Sequence, residues 1–115
     1  MNKIIERLYL GDFNAASDAQ FLKQHHITHI LNVTTEVQNS FPTEIQYFKI
    51  AVEDKTDTDI LFHIESTNNF IENARNTGSI LVHCVAGVSR SASIVVAYLM
   101  WKENMTMNKA CRYVK

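Results

Sequence analysis

With 115 residues, 46% hydrophobic and 20% charged, the chain has the make-up of one soluble globular domain spanning residues 1–115. Eleven Lys and Arg against twelve Asp and Glu leave a net charge of −1, so no global field draws it to nucleic acid or to an anionic membrane. No apolar run approaches the roughly 20 residues of a membrane span, and residues 1–7 lack the apolar stretch of a signal peptide and any myristoylation signal.

In chain order, residues 8–10 (Leu-Tyr-Leu) read as a strand stopped by Gly11. Ser17-Asp18-Ala19-Gln20 has the shape of a capping box and predicts a short helix with Phe21 and Leu22 inward. Residues 28–33 predict a second strand and 46–52 a third. Between them, residues 34–44 hold the only proline, Pro42, and read as an exposed connection. Ile60, Ile64, Ile71 and Ala74 share one face of a helix over about residues 59–76, which Gly78 ends as a left-handed cap. Residues 79–82 form a short apolar strand, and 92–100 a buried helix without Gly or Pro. Thr106 predicts the N-cap of a last helix running to Lys115. Strands alternating with helices imply an α/β fold, a mostly parallel sheet flanked by helices, which binds ligands at the carboxyl ends of its strands.

The run His83-Cys84-Val85-Ala86-Gly87-Val88-Ser89-Arg90-Ser91 lies at such an end, between the strand and the buried helix. A loop that feeds a helix N-terminus presents backbone N–H groups and the positive end of the helix dipole, and both favour an anion. The same field, with a nearby Arg, stabilises a thiolate, so Cys84 is read as the nucleophile. Arg90 supplies a planar fork matched to two phosphoryl oxygens, which a Lys cannot copy. Gly87 lets the loop bend and its backbone approach the oxyanion, and the N–H groups of Val85, Ala86, Gly87, Val88, Ser89 and Arg90 make the cradle. The Ser91 hydroxyl is placed to hydrogen-bond the sulfur, and His83 to fix the loop and tune the thiolate.

This H-C-x-x-G-x-S-R-S run resembles the signature of the cysteine-dependent protein phosphatases, in particular the dual-specificity branch. The resemblance extends to Leu8-Tyr9-Leu10-Gly11, to Ile27-Thr28-His29-Ile30-Leu31-Asn32-Val33, to Ala97-Tyr98-Leu99-Met100 and to Asn108-Lys109-Ala110, and covers residues 4–115. It implies the phosphate-loop fold of that superfamily and a phosphocysteine intermediate, with no metal or organic cofactor. It also implies one general acid just after a strand. Of Glu53, Asp54, Asp57 and Asp59, Asp54 matches that position best; Asp57 or Glu53 is the alternative, and Asp57 and Asp59 suit the first turn of the following helix.

Asn32 ends its strand with a side chain that either bonds the phosphate loop, as its family counterpart does, or serves as a strand-end turn residue. The uncharged Val85, Ala86 and Val88 favour a phosphorylated protein side chain over the polyphosphorylated head groups for which related branches carry Lys. A domain this small implies a shallow pocket, open to phosphoserine and phosphothreonine as well as phosphotyrosine. A non-protein phosphoesterase acting on RNA 5′ ends, nucleotides or lipids, and a weakly active phosphoprotein-binding module, stay open as alternatives.

A disulfide between Cys84 and Cys111 would destroy the nucleophile, so both are expected as thiols in a reducing compartment, cytoplasmic and/or nuclear. His25, His26 and His29 lack a completing Cys or carboxylate and read as surface histidines. His63 is expected to face solvent, and Trp101, Met100, Met105 and Met107 to sit in the core or in helix packing. Relatives continue with a further helix, while Cys111, Tyr113 and Val114 look ready to pack. The sequence therefore predicts marginal stability or a homodimer through an open C-terminal face.

Overall fold

The computed structural model describes residues 2–50, 58–85 and 90–114. The elements run β1 (Asn2–Ile5), β2 (Leu8–Gly11), α1 (Phe13–Ala16), α2 (Ala19–Gln24), β3 (Ile27–Asn32), β4 (Gln46–Lys49), α3 (Thr58–Thr77), β5 (Ser79–His83), α4 (Arg90–Lys102) and α5 (Met107–Tyr113). Five strands make one sheet in the order β1-β2-β5-β3-β4, with only the β1–β2 pair antiparallel. This is the α/β fold with a mostly parallel sheet that the alternation of elements predicts.

β5 is the central strand, and all five of its residues are buried, as expected where helices cover both faces of a parallel sheet. Period-2 alternation sorts its side chains. Ile80 and Val82 join Leu8, Leu10, Leu31 and Val33 in the core beneath α3, α4 and α5, where Ile71, Ala74, Ile94, Tyr98 and Leu99 are fully buried. Leu81 points the other way and packs with Ile30, Ile27, Leu22 and Ala16 beneath α1 and α2. Ile27 and Ile30 share that face despite odd spacing because the β3–β5 register shifts between Ile27 and His29.

Several expectations are corrected here. β1 was not expected: its residues Asn-Lys-Ile-Ile show no alternation, and the Glu6–Arg7 turn into β2 uses a left-handed Arg7 (φ 68°) where a sequence signal would be Gly or Asn. α1 was also not expected; Asp12 caps it, accepting from the Ala15 N–H at 3.0 Å. The cap of α2 is Asp18, accepting from Phe21 N–H at 3.1 Å, while Ser17 donates back to Phe13 O and closes α1. Inside α2, Leu22 is buried and Phe21 is half-buried against the His25 ring, 4.2 Å away. β4 ends at Lys49, short of residue 52, and residues 51–52 lie outside those described.

α3 and its Ile71–Ala74 face match the reading, with Ile64 packed on the core edge; the side chain of Ile60 is outside those described. Gly78 is not a left-handed cap. Its N–H continues the helix to Ala74 O at 2.8 Å, and a Cβ there would collide with Thr28 Oγ1 and come within 2.7 Å of Thr28 Cγ2, so close approach to β3 is what demands glycine. His29 is not a surface histidine: it is buried, edge-on to Phe70 of α3 at 5.6 Å. His63 is half-buried rather than facing solvent.

Met100 and Met105 pack against the core, but Trp101 is 52% and Met107 60% exposed. Trp101 lies 6.0 Å from the Tyr98 ring and walls an open groove with Ile64, Glu65, Asn68 and Asn69 of α3. Among the described residues no helix is long and apolar enough to cross a membrane. Thr106 caps α5 as expected, accepting from Lys109 N–H at 3.2 Å, and the helix ends at Tyr113.

Candidate active site

Three strand ends meet at one level of the sheet, because Gly11 of β2 and Asn32 of β3 are both in register with His83 of β5. From there the chain leaves β5 through Cys84 and Val85, and Arg90 is the first residue of α4. Two backbone hydrogen bonds moor the departure: Val33 N–H donates to His83 O at 2.9 Å, and Phe13 N–H donates to Val85 O at 3.2 Å. The predicted cradle residues Ala86, Gly87, Val88 and Ser89 lie outside the described residues, as does Asp54. Val85 is described and is 41% exposed at the mouth of the site.

Cys84 is buried, and its Sγ lies 3.2 Å from the Ser91 Oγ, also buried, at the start of α4. A hydroxyl so placed can donate to a thiolate, and the N-terminal turn of a 13-residue helix adds its dipole. Neither Cys84 nor Cys111 is in a disulfide. His83 is buried and donates from Nδ1 to the Cys84 carbonyl at 3.3 Å. Burial pushes its imidazole below the usual histidine range, and this outweighs the opposing pull of that hydrogen bond. His83 is therefore neutral near pH 7, a fixed strut behind the nucleophile.

Arg90 is buried in all but 6% of its side chain and meets a residue that sequence reasoning missed. Its Nη1 donates to Glu36 Oε1 at 3.1 Å and its Nη2 to Glu36 Oε2 at 3.4 Å, a bidentate fork across 54 residues of chain. The guanidinium holds the Glu36 carboxyl well below the ordinary range, at about 2. Glu36 sits in the stretch expected to be a mere connection; no spacing in the sequence ties it to Arg90.

Asn32 lies beside this pair. Its amide donates to Val37 O at 2.8 Å and to Asn39 Oδ1 at 3.0 Å, while its Oδ1 accepts from Thr34 Oγ1 at 2.7 Å. It anchors the turn that carries Glu36; the residues 86–89 of the phosphate loop lie outside those described. The structure thus brings His83, Cys84, Ser91 and Arg90 together and adds Glu36 to them. Among the described residues no three His, Cys, Asp or Glu side chains converge on a point where a metal ion would sit.

The arrangement sets a buried thiol beside a hydroxyl and a guanidinium at a helix N-terminus, and the chain that builds it is similar to known proteins. The dual specificity phosphatase catalytic-domain model matches residues 8–115. Dual specificity protein phosphatase 1 of Arabidopsis thaliana is 43% identical over 113 residues, covering 97% of this chain and 57% of its own length. Dual specificity protein phosphatase 19 of Mus musculus is 44% identical, covering 94% of this chain and 50% of its own. The chain therefore spans about half the length of these curated relatives. The crystal structure of DUSP15 superposes with a TM-score of 0.93 at 36% identity, over 100% of this chain and 74% of that one. That of human DUSP28 gives 0.93 at 30% identity, over 100% and 81%. By fold, by motif and by descent, this chain belongs to the dual specificity phosphatase catalytic-domain family.

Proposed function

We propose that the protein hydrolyses phosphotyrosine and phosphoserine or phosphothreonine in protein substrates through a phosphocysteine intermediate. The observation that carries this is the Cys84 Sγ–Ser91 Oγ contact of 3.2 Å at the carboxyl end of the central strand, with Arg90 opening the next helix. In the first step the Cys84 thiolate attacks phosphorus; the S–P bond forms, the P–O ester bond breaks, and Asp54 gives its proton to the leaving oxygen. In the second step Asp54 takes a proton from water, which attacks phosphorus. The thiolate leaves with the Ser91 hydroxyl donating to it, and inorganic phosphate departs.

The substrate reading rests on the uncharged Val85, Ala86 and Val88 and on the protein phosphatases among the relatives. With a net charge of −1, neither nucleic acid nor an anionic membrane is assigned as a partner. Because the chemistry needs a thiolate, the protein belongs in a reducing compartment, cytoplasm and/or nucleus, where loss of turnover on oxidation should reverse with reductant. Exposed Trp101, Met107 and Tyr113 on α4 and α5 supply the face for a homodimer, to be read as mass by light scattering.

The test is hydrolysis of a small aryl phosphate by wild type and Cys84→Ser, with reductant and chelator present. Turnover in the wild type and its loss in Cys84→Ser is the expected result. Turnover in both, or in neither when both are folded, would overturn the reading.

A further inference from the structure

β4 lies at one end of the sheet, and among the described residues no strand covers its outer edge. Ile50 N–H donates inward to Asn32 O at 3.0 Å. Backbone groups alternate in direction along a strand, so Phe48 also faces β3, while the N–H and C=O of Tyr47 and Lys49 point outward. Outward groups of this kind are a template for one more strand. Beside them runs a groove between β4 and α3, lined by Tyr47, Phe48, Ser66, Phe70 and Asn73, none of them charged.

The charge lies at the site end of this edge. Lys49 closes β4, is exposed, and makes no ion pair among the described residues. It is in register with Asn32, and Asn32 with His83, so Lys49 stands level with the residue before Cys84. Alternation sets both on one face of the sheet, because Tyr47 and Leu81, two residues earlier in each strand, pack in the same cluster. Burial is the main cause of the lowered His83 pKa, and the Lys49 charge pushes the same way, so the ammonium is felt at the site.

We propose that the outer edge of β4 is a recognition strip that takes an extended acidic segment of the phosphoprotein substrate as an added strand, with a carboxylate at Lys49. This deepens the phosphatase reading above and rests on it. An added strand brings main-chain hydrogen bonds for affinity and side-chain contacts for specificity. A lysine without an ion pair, at the end of an otherwise uncharged strip, selects a carboxylate there. Neighbouring strands lie about 4.8 Å apart, so an added strand would run three spacings, about 14 Å, from β5. That is the reach of about four extended residues at about 3.3 Å each, which sets the carboxylate about four residues from the phosphoresidue.

The experiment compares phosphotyrosine peptides carrying Asp about four residues before or after the phosphotyrosine with peptides carrying Asn at the same place. Each is assayed with wild type and Lys49→Gln, both shown to be folded by thermal melting. In the wild type, Asp at one of the two placements should raise kcat/KM about two- to fivefold, through KM rather than kcat. That preference should vanish in Lys49→Gln and reverse in Lys49→Glu. N-methylation of two consecutive peptide amides beside the Asp, one at a time, should raise KM about fivefold at one and less than about twofold at the other, because only alternate amides face the strand. No gain at either placement, a gain that survives Lys49→Gln, or equal effects of the two methylations would overturn the proposal. A lysine on a short edge strand also keeps copies of a chain apart. Were that its whole role, Lys49→Gln would self-associate by light scattering with the Asp preference unchanged, which also overturns the proposal.

If the wild type turns over neither the peptides nor an aryl phosphate, the phosphatase reading fails while the strip is still tested. Fluorescence anisotropy of the same peptides, labelled, should then give the Asp preference as a ratio of Kd values in the wild type and its loss in Lys49→Gln. Equal Kd values for the Asp and Asn peptides would overturn the strip.

Discussion

Two glutamates of this chain each hold a cation from another segment, and they do so in different settings. Glu36 rides on a turn, reaches back to a buried arginine and takes one edge of it. Glu72, on α3, is half-buried and ends in a cluster with side chains of α4. It accepts from Tyr98 OH at 2.7 Å and Lys102 Nζ at 2.6 Å, both from α4. Arg75 donates to that same Tyr98 oxygen at 2.9 Å and from Nε to Glu6 O at 2.9 Å. Its guanidinium also lies 5.8 Å from the centre of the Tyr98 ring. Satisfied polar groups between packed helices give rigidity, while a guanidinium at the carboxyl end of the sheet is placed for recognition. The same pairing chemistry serves binding at the carboxyl end of the sheet and adhesion between its covering helices.

The sharpest way to break this comparison is a crossed pair of substitutions. Arg90→Lys keeps the charge and removes the fork, and loss of a preorganised oxyanion partner costs about 10² to 10³ in kcat. The melting temperature should change little, because Lys can still pair with Glu36. Tyr98→Phe should do the reverse. The ring stays in the core while Glu72 and Arg75 lose the hydroxyl between them, at about 1 kcal/mol. For a domain of this size that is a fall of about 4 °C in Tm, with kcat/KM unchanged. Peptide kinetics and a thermal melt on each variant read the four quantities. A Tyr98→Phe enzyme as stable as wild type would show the Glu72 cluster to be incidental, and an Arg90→Lys enzyme at full rate would remove the contrast from the other side.

Much of this was legible in the residues because the signals are local. Alternation and apolar runs mark β3 and β5, the i, i+3, i+4 spacing marks α3, and a threonine before a helical stretch marks α5. The Cys84-to-Ser91 run brings its own geometry, since any strand–loop–helix with those residues gathers nucleophile, hydroxyl and guanidinium. What stayed hidden depends on contacts distant in sequence. Glu36 is one carboxylate in a polar connection until the fold brings it to Arg90. Asn32 ends a strand as a polar residue, and only the fold shows that its amide ties down the Glu36 turn. His29 has two histidines nearby in sequence and seems exposed until the irregular β3 register buries it against Phe70. Gly78 carries a helix-end signature, yet its role is set by Thr28 across the sheet edge. Trp101 sits in an apolar helix whose buried stripe passes it by.

The smallest expected effect separates the two regions by pH. Burial lowers the pKa of both His29, under α3, and His83, at the site, from an unfolded value of 6.5. The folded state therefore holds fewer protons than the unfolded chain once pH drops below 6.5. The stability these imidazoles allow is fully present above that value and is lost as pH falls toward their folded pKa values. Glu72 and Glu36 act lower: their carboxyls are depressed from 4.5 by their cations, so their contribution persists to about pH 4.5 and fades beneath it. Tm should thus start to decline between pH 7 and 5, before any of these carboxylates protonates in the unfolded chain. His29→Gln removes one of the two titrations without touching the site, so its Tm should decline less over that interval while kcat/KM at pH 7 stays as in wild type. Melts at pH 7.5 and 5.5 decide it. An equal decline in wild type and His29→Gln would assign the histidine-range loss to His83, and so to the active-site strand rather than to the packing of α3 on the sheet.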